Sequence, residues 1–146
     1  MSKSNSFENS FLLQVFNNQN IANIGDATGL RGSSAAGNLY VSLHTADPGE
    51  AGDQTTNEAT YTSYARVAVA RSSAGWVVSG NAASNTAAVN FPACTGGSNT
   101  ITHFGVGTAA SGAGTLLYKG SLTAQRSISD SITPTFPAGD IDITED

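Results

Sequence analysis

Leu39, Val41 and Leu43 alternate with Tyr40, Ser42 and His44, and this period of two predicts a strand over residues 38–45 with one buried face. The same rhythm returns at Ala87, Val89 and Phe91, at Trp76 and Val78, and at Ile141 and Ile143, which alternate with Asp140, Asp142 and Thr144. Nine strand-like runs follow, at residues 38–45, 64–71, 75–79, 86–91, 100–107, 115–119, 121–128, 133–136 and 140–144. Turn chemistry separates them: Asp47-Pro48-Gly49, residues 72–75, Ser79-Gly80-Asn81, and residues 95–99 and 110–114. Pro92 ends its run because proline lacks the ladder donor. The expected core is Leu39, Val41, Leu43, Val67, Val69, Trp76, Val78, Val89, Phe91, Phe104, Val106, Leu116, Tyr118, Leu122, Ile128, Phe136, Ile141 and Ile143.

Short strands at this spacing, with no helical pattern between them, predict an all-β fold: an antiparallel β-sandwich, jelly-roll-like, with a short N-terminal helix or arm. A parallel α/β sheet is excluded because no crossover helix is written between strands. No internal repeat marks a solenoid or a fibre shaft. The organisation expected is an arm over residues 1–37 and a β-sandwich domain over residues 38–146.

The arm has its own pattern. Asn5 followed three residues later by Glu8 resembles a capping box. Phe7, Phe11, Leu12, Val15 and Phe16 then fall at helical spacing, predicting a helix over residues 6–18. Three Phe on one short helix require a partner. That partner is either the edge of the chain's own β domain or a neighbouring subunit; on the second reading these five residues are a partner-binding set. Residues 25–37 are rich in Gly, Ser and Ala and read as a linker.

Composition narrows the function classes. Charged residues make up 12% of the 146, about half the usual share, which suits turn-rich β surfaces and subunit packing. The net charge is −5 and the six basic residues are scattered, so no stripe exists to neutralise phosphates and no nucleic-acid partner is expected. No run of 18 apolar residues predicts a membrane span. No leader pattern follows Lys3, and Cys94 is alone; both fit folding in a bacterial cytoplasm.

Chemistry is sparse. His44 and His103 are the only histidines, and no Gly-x-Ser-x-Gly elbow accompanies them. His44 is expected to bond the Asp47-Pro48-Gly49 turn or to face solvent. Cys94 and the two histidines lack the close pairing of a zinc site. Asp47, Glu50, Asp53 and Glu58 crowd one loop. They form a solvated acidic loop, a calcium-holding one, or a contact for a basic patch on another subunit. The Gly-rich run 105–114 lacks the Lys-Ser/Thr of a P-loop and reads as a flexible hairpin loop. The expectation is no enzyme, no cofactor and no metal.

Order carries a further signal. Residues 38–48 read Asn-Leu-Tyr-Val-Ser-Leu-His-Thr-Ala-Asp-Pro, followed by Thr56-Asn57-Glu58 and Tyr61-Thr62-Ser63-Tyr64-Ala65-Arg66. Gly75-Trp76, Phe91-Pro92, Thr102-His103-Phe104, the Gly-rich stretch 107–114 and the ending over residues 138–146 complete the series. Taken together, these resemble a family of small tailed-phage virion proteins, variously described as head decoration, minor tail or tail-fibre proteins. The resemblance implies a structural role in a virion, assembled in the host cytoplasm. One short domain, no shaft repeat and a separate arm favour a capsid decoration or cement protein bridging major capsid subunits. The alternative is a minor tail or tail-fibre component involved in host-surface binding, for which Tyr40, Tyr61, Tyr64 and Trp76 are candidate exposed aromatics. Either way the partners implied are the major capsid protein or other virion proteins, and further copies of the chain.

Overall fold

Ser4, not Asn5, starts the helix. In the computed structural model, which describes residues 2–146, α1 spans Asn5–Asn17 and the Ser4 hydroxyl accepts the Phe7 N–H at 3.4 Å. The expected Asn5/Glu8 box is one residue out of register, because the serine hydroxyl reaches the free amide first. The helix closes on Asn18, which takes the left-handed conformation (φ 57°) and returns its N–H to the Leu13 carbonyl.

Nine strands follow: β1 (Asn38–His44), β2 (Val67–Ala70), β3 (Trp76–Ser79), β4 (Ala82–Asn85), β5 (Val89–Asn90), β6 (Asn99–Gly107), β7 (Leu116–Ile128), β8 (Thr135–Phe136) and β9 (Asp142–Thr144). They form sheets ordered β2-β1-β6-β7, β3-β4-β9 and β5-β8. The chain is thus all-β and antiparallel, a sandwich-class fold with one short N-terminal helix. It divides into two compact units. The first holds the residues up to Asn38, Val69–Ala88 and Phe136–Asp146; the second holds Leu39–Ala68 and Val89–Thr135. Of residues 1–37, expected to stand apart as an arm, the described ones, 2–37, group with β3, β4 and β9.

The first unit is a helix laid on a three-stranded sheet. Val78, Ala83 and Ile143 stand in one row across it, and Trp76 pairs with Asn85. Glu8, Leu12 and Phe16 recur every four residues and are buried. Phe16 meets Trp76 with ring centroids 4.8 Å apart. Burying Leu12 and Phe16 contributes roughly 1.5–3 kcal/mol each. Strand β4 was not legible in the sequence: residues 82–85, Ala-Ala-Ser-Asn, carry no apolar alternation. It forms because Gly80 (φ +61°) opens a two-residue hairpin that folds it onto β3. Asn85 then ties the sheet to its surroundings, donating to the carbonyls of Ala87 and Pro137 and accepting the Ile141 N–H.

In the second unit β1 pairs antiparallel with β6, setting Val41 beside Val106 and Leu43 beside Phe104 on one face. The opposite face pairs Ser42 with Gly105 and His44 with His103. Both faces of β1 are buried, not one as its alternation predicts. The loop after β1 folds back over the polar face: Thr45 N–H bonds the Asn57 carbonyl, Ala59 N–H bonds the Leu43 carbonyl, and His44 bridges Glu58. Strand β7 merges the two runs expected at 115–119 and 121–128. Gly120, the expected break, stays in register opposite Phe104; the bulge lies inside the second run, where the register jumps from Ile101↔Arg126 to His103↔Ser121 and leaves residues 122–125 without a partner in the β6 register. This interruption blunts an otherwise long sheet edge.

Candidate functional site

The sequence points to two surfaces, the acidic loop and the helix, and the structure treats them differently. In the loop, each carboxylate has an internal task. Asp47 accepts the Gly49 N–H at 2.8 Å and meets Lys119 Nζ at 3.1 Å; the turn amide and the lysine hold its carboxyl below the usual range. Asp53 accepts the Thr55 hydroxyl and N–H and is likewise lowered. Glu58 accepts Arg66 Nε at 2.6 Å and Nη2 at 2.7 Å, and takes the Tyr64 hydroxyl at 2.9 Å. Glu50 stands almost wholly in solvent and Asp47 is exposed too; Lys119 lies 3.2 Å from Glu50. Among the described residues no group of three or more His, Cys, Asp or Glu is assembled to hold a metal.

Arg66 extends this network to the Gly-rich loop. Its Nη1 donates to the Ala109 carbonyl and Nη2 to the Gly112 carbonyl. Gln54, fully buried, receives the Ala109 N–H on Oε1, and its own N–H bonds the Ala113 carbonyl. The run 105–114, expected to be a flexible loop, is pinned at four points. Its glycines have specific uses. A Cβ on Gly107 would lie 2.2 Å from Gln54 Cδ, and one on Gly105 would lie 2.7 Å from Ser42 Oγ. Gln54 and Arg66 were the residues sequence reading missed, since a lone Gln in a polar loop and an Arg in an irregular segment carry no periodic signal.

His44 completes this end of the unit. It neither bonds the Asp47 turn nor faces solvent. Its Nδ1 lies 2.8 Å from the Thr56 carbonyl, which can only accept, so Nδ1 carries the proton and Nε2 accepts the Ser42 hydroxyl at 2.8 Å. Burial pushes its pKa below the ordinary value. This is a neutral imidazole stitching loop to strand, and the Ser42 hydroxyl that it accepts is, like the imidazole, fully buried. The aromatics considered for surface recognition are also engaged. Tyr64 accepts the Leu43 N–H and lies parallel to Phe91, 10° between ring planes. Tyr61 donates to the Pro92 carbonyl, its hydroxyl pushed up to about 12 by burial. Trp76 is fully buried, and Tyr40 is half-buried.

Five of the helix's six apolar residues, all but Leu13, fall on two lines. Leu12 and Phe16 face inward and are fully buried within the chain itself. Phe7, Phe11 and Val15 form a second line, one residue earlier at each turn. Phe11 and Val15 are half-buried, and Phe7 remains 38% exposed. Phe7 and Phe11 lie 6.4 Å apart, ring to ring. A helix of 3.6 residues per turn places residues 7 and 8 about 100° apart, which is why one stripe is spent on the sheet and its neighbour is not. Leu30, whose carbonyl takes the Gln14 amide, is also exposed. No described helix is long and apolar enough to cross a membrane.

A family model described as Podophage GP4 fiber I protein gp80 matches residues 2–144, nearly the whole chain. No curated protein matches the chain. The chain belongs to that podophage family, and with it to the structural proteins of the phage virion.

Proposed function

We propose that this virion protein is a tail-fibre component, and that it works by packing against other virion proteins instead of by catalysis. The observation that carries the reading is the match of residues 2–144 to a family described as a podophage fibre protein. That description favours the fibre alternative over capsid decoration, which the single short domain and the helix had made the first choice. No shaft repeat is written in this chain, so its place in a fibre is that of a globular module.

The chemistry of the surface supports a packing role. The carboxylates at 47, 53 and 58 and the aromatics at 61, 64 and 76 are committed to internal bonds. That leaves few charged or aromatic groups for reading a small ligand. Ile24, Leu30, Val77, Leu117 and Ile132 are exposed as well as Phe7; of this apolar surface, the Phe7–Phe11 line is the part where two aromatic rings adjoin, and it fits an apolar contact with another virion protein or a further copy of the chain. Low overall charge suits such packing.

Gold-labelled antibody against the chain, applied to purified particles, tests the location. Label at the tail fibres is expected. Label distributed evenly over the head shell would overturn the fibre reading and restore decoration.

A further inference from the structure

Trp76 Nε1 is buried with no hydrogen-bond partner among the described residues, and Phe16 of α1 packs on the same indole. A dry, unpaired N–H opposes burial, so the docked helix covers a group that water would satisfy. The inner stripe also begins with Glu8, a carboxyl-bearing residue buried in line with Leu12 and Phe16. The helix supplies little stability of its own. Asn, Ser, Phe and Val fill most of its positions, and these are middling to poor helix formers; at 13 residues it is marginal in isolation.

Besides the buried stripe and the Asn9 amide, which donates to the Gly80 carbonyl at 2.7 Å, polar contacts at its two ends hold it. At the N-terminal end Lys3 Nζ meets Glu145 Oε2 at 2.9 Å and the Asp146 carbonyl at 2.8 Å. At the C-terminal end the Arg71 guanidinium donates to the carbonyls of Gln14 and Val15, to Asn18 Oδ1 and to Ser33 Oγ. These are the last-turn carbonyls that an α-helix leaves unpaired, at the negative end of its dipole. One arginine, borne on the segment between β2 and β3, thus fastens both the helix end and the linker behind it.

We propose that α1 is a clasp with Arg71 as its catch: it opens as a unit from β3 and β4 while the second unit stays folded. Opening uncovers Leu12, Phe16 and Trp76 together, enlarging the apolar surface that Phe7 and Phe11 begin. Its use in a fibre rests on the functional reading above. The opening itself does not, and it is tested on the isolated full-length chain, so the two can fail separately.

Amide hydrogen exchange of the full-length protein, read by NMR, measures the opening. The amides of Leu13, Gln14 and Phe16 are expected to exchange at least ~10-fold faster than those of Val41 and Val106. Arg71→Ala is expected to speed the helix amides by a further ~10-fold and leave Val41 and Val106 unchanged. Trp76 is the only tryptophan, so acrylamide quenching of its fluorescence should rise in the same variant. Equal protection of the helix and β6 amides in the wild-type protein overturns the proposal, as does an Arg71→Ala variant that accelerates both sets alike. If that variant does not fold, the wild-type comparison decides alone.

Discussion

Glu58 and Arg66 meet in a two-point fork, Oε1 to Nε at 2.6 Å and Oε2 to Nη2 at 2.7 Å, with the arginine side chain almost wholly covered. The geometry leaves Nη1 and the remaining Nη2 hydrogen free for the carbonyls of Ala109 and Gly112. Lysine could not reproduce this, having a point charge in place of a planar fork. The pair therefore converts a glycine-rich loop, which costs entropy to order, into a fixed surface.

Removing one partner of such a pair strands the other charge. Arg66→Ala is expected to destabilise the protein by about 3–5 kcal/mol, and Glu58→Gln by less because the amide still accepts one bond. Urea unfolding of both single variants and the double variant measures this, together with protease cutting within residues 108–114. A loop that stays uncut in Arg66→Ala would show that Gln54 alone secures it.

Gly107 faces Gln54 so closely that no side chain fits between them. Gly107→Ala is expected to expel Gln54 from over β6 and to cost about 1–3 kcal/mol. Adding Gln54→Ala to that variant relieves the clash, so the two substitutions should cost less together than the sum of the singles. A double-mutant cycle measures the coupling; strict additivity would refute the contact.

His44 sets a pH dependence whose sign follows from its burial. Its folded-state pKa lies below the ordinary 6.5, so the unfolded chain takes up a proton first as pH falls. Stability is then complete above about pH 6.5 and declines as pH falls from there towards the folded-state pKa. Asp47 and Asp53, lowered below 3.8, contribute stability that is lost only as pH falls below about 4. The two windows are separable. Urea midpoints between pH 7.5 and pH 5 should fall in the wild-type protein and run flatter in His44→Gln, whose absolute stability is lower. An equal slope in both proteins would remove His44 from the account.

The strands were legible where apolar residues alternate. Leu39, Val41, Leu43, Val89, Phe91, Ile141 and Ile143 are all buried as their spacing predicts. β4 was not legible, because its Ala and Ser positions are held by neighbours on both sides and not by apolar content of their own. The second buried face of β1 was hidden for a related reason: Ser42 and His44 read as a wet face, and only the folding-back of residues 45–59 covers them. The candidate site was legible as residues and not as roles. Asp47, Glu50, Asp53 and Glu58 were picked out by charge density, but their partners Arg66 and Lys119 are 8 and 72 positions away from Glu58 and Asp47. Hydrogen bonds across such separations leave no periodic trace. The helix was visible by its apolar spacing. Its division into an inner and an outer line needed the position of Trp76.

That division makes the last prediction. Leu12 and Phe16 hold the first unit together, so Leu12→Ala is expected to cost about 2–5 kcal/mol and Phe16→Ala about 3–5 kcal/mol. Phe7 and Phe11 lie on the adjacent line and are not fully covered, so the pair Phe7→Ser and Phe11→Ser should cost far less stability. If the outer line is the contact to another virion protein, that pair should fold normally and yet fail to incorporate into particles, as judged by complementing a phage that lacks this chain. Deleting residues 2–17 tests the opposite idea, a dispensable arm. It strips Phe16 from Trp76 and should leave a first unit that aggregates or unfolds, seen as a red-shifted Trp76 emission. Normal incorporation of the Phe7/Phe11 pair would mean that this line is only surface. A well-folded deletion variant would mean that the sheet does not need its helix.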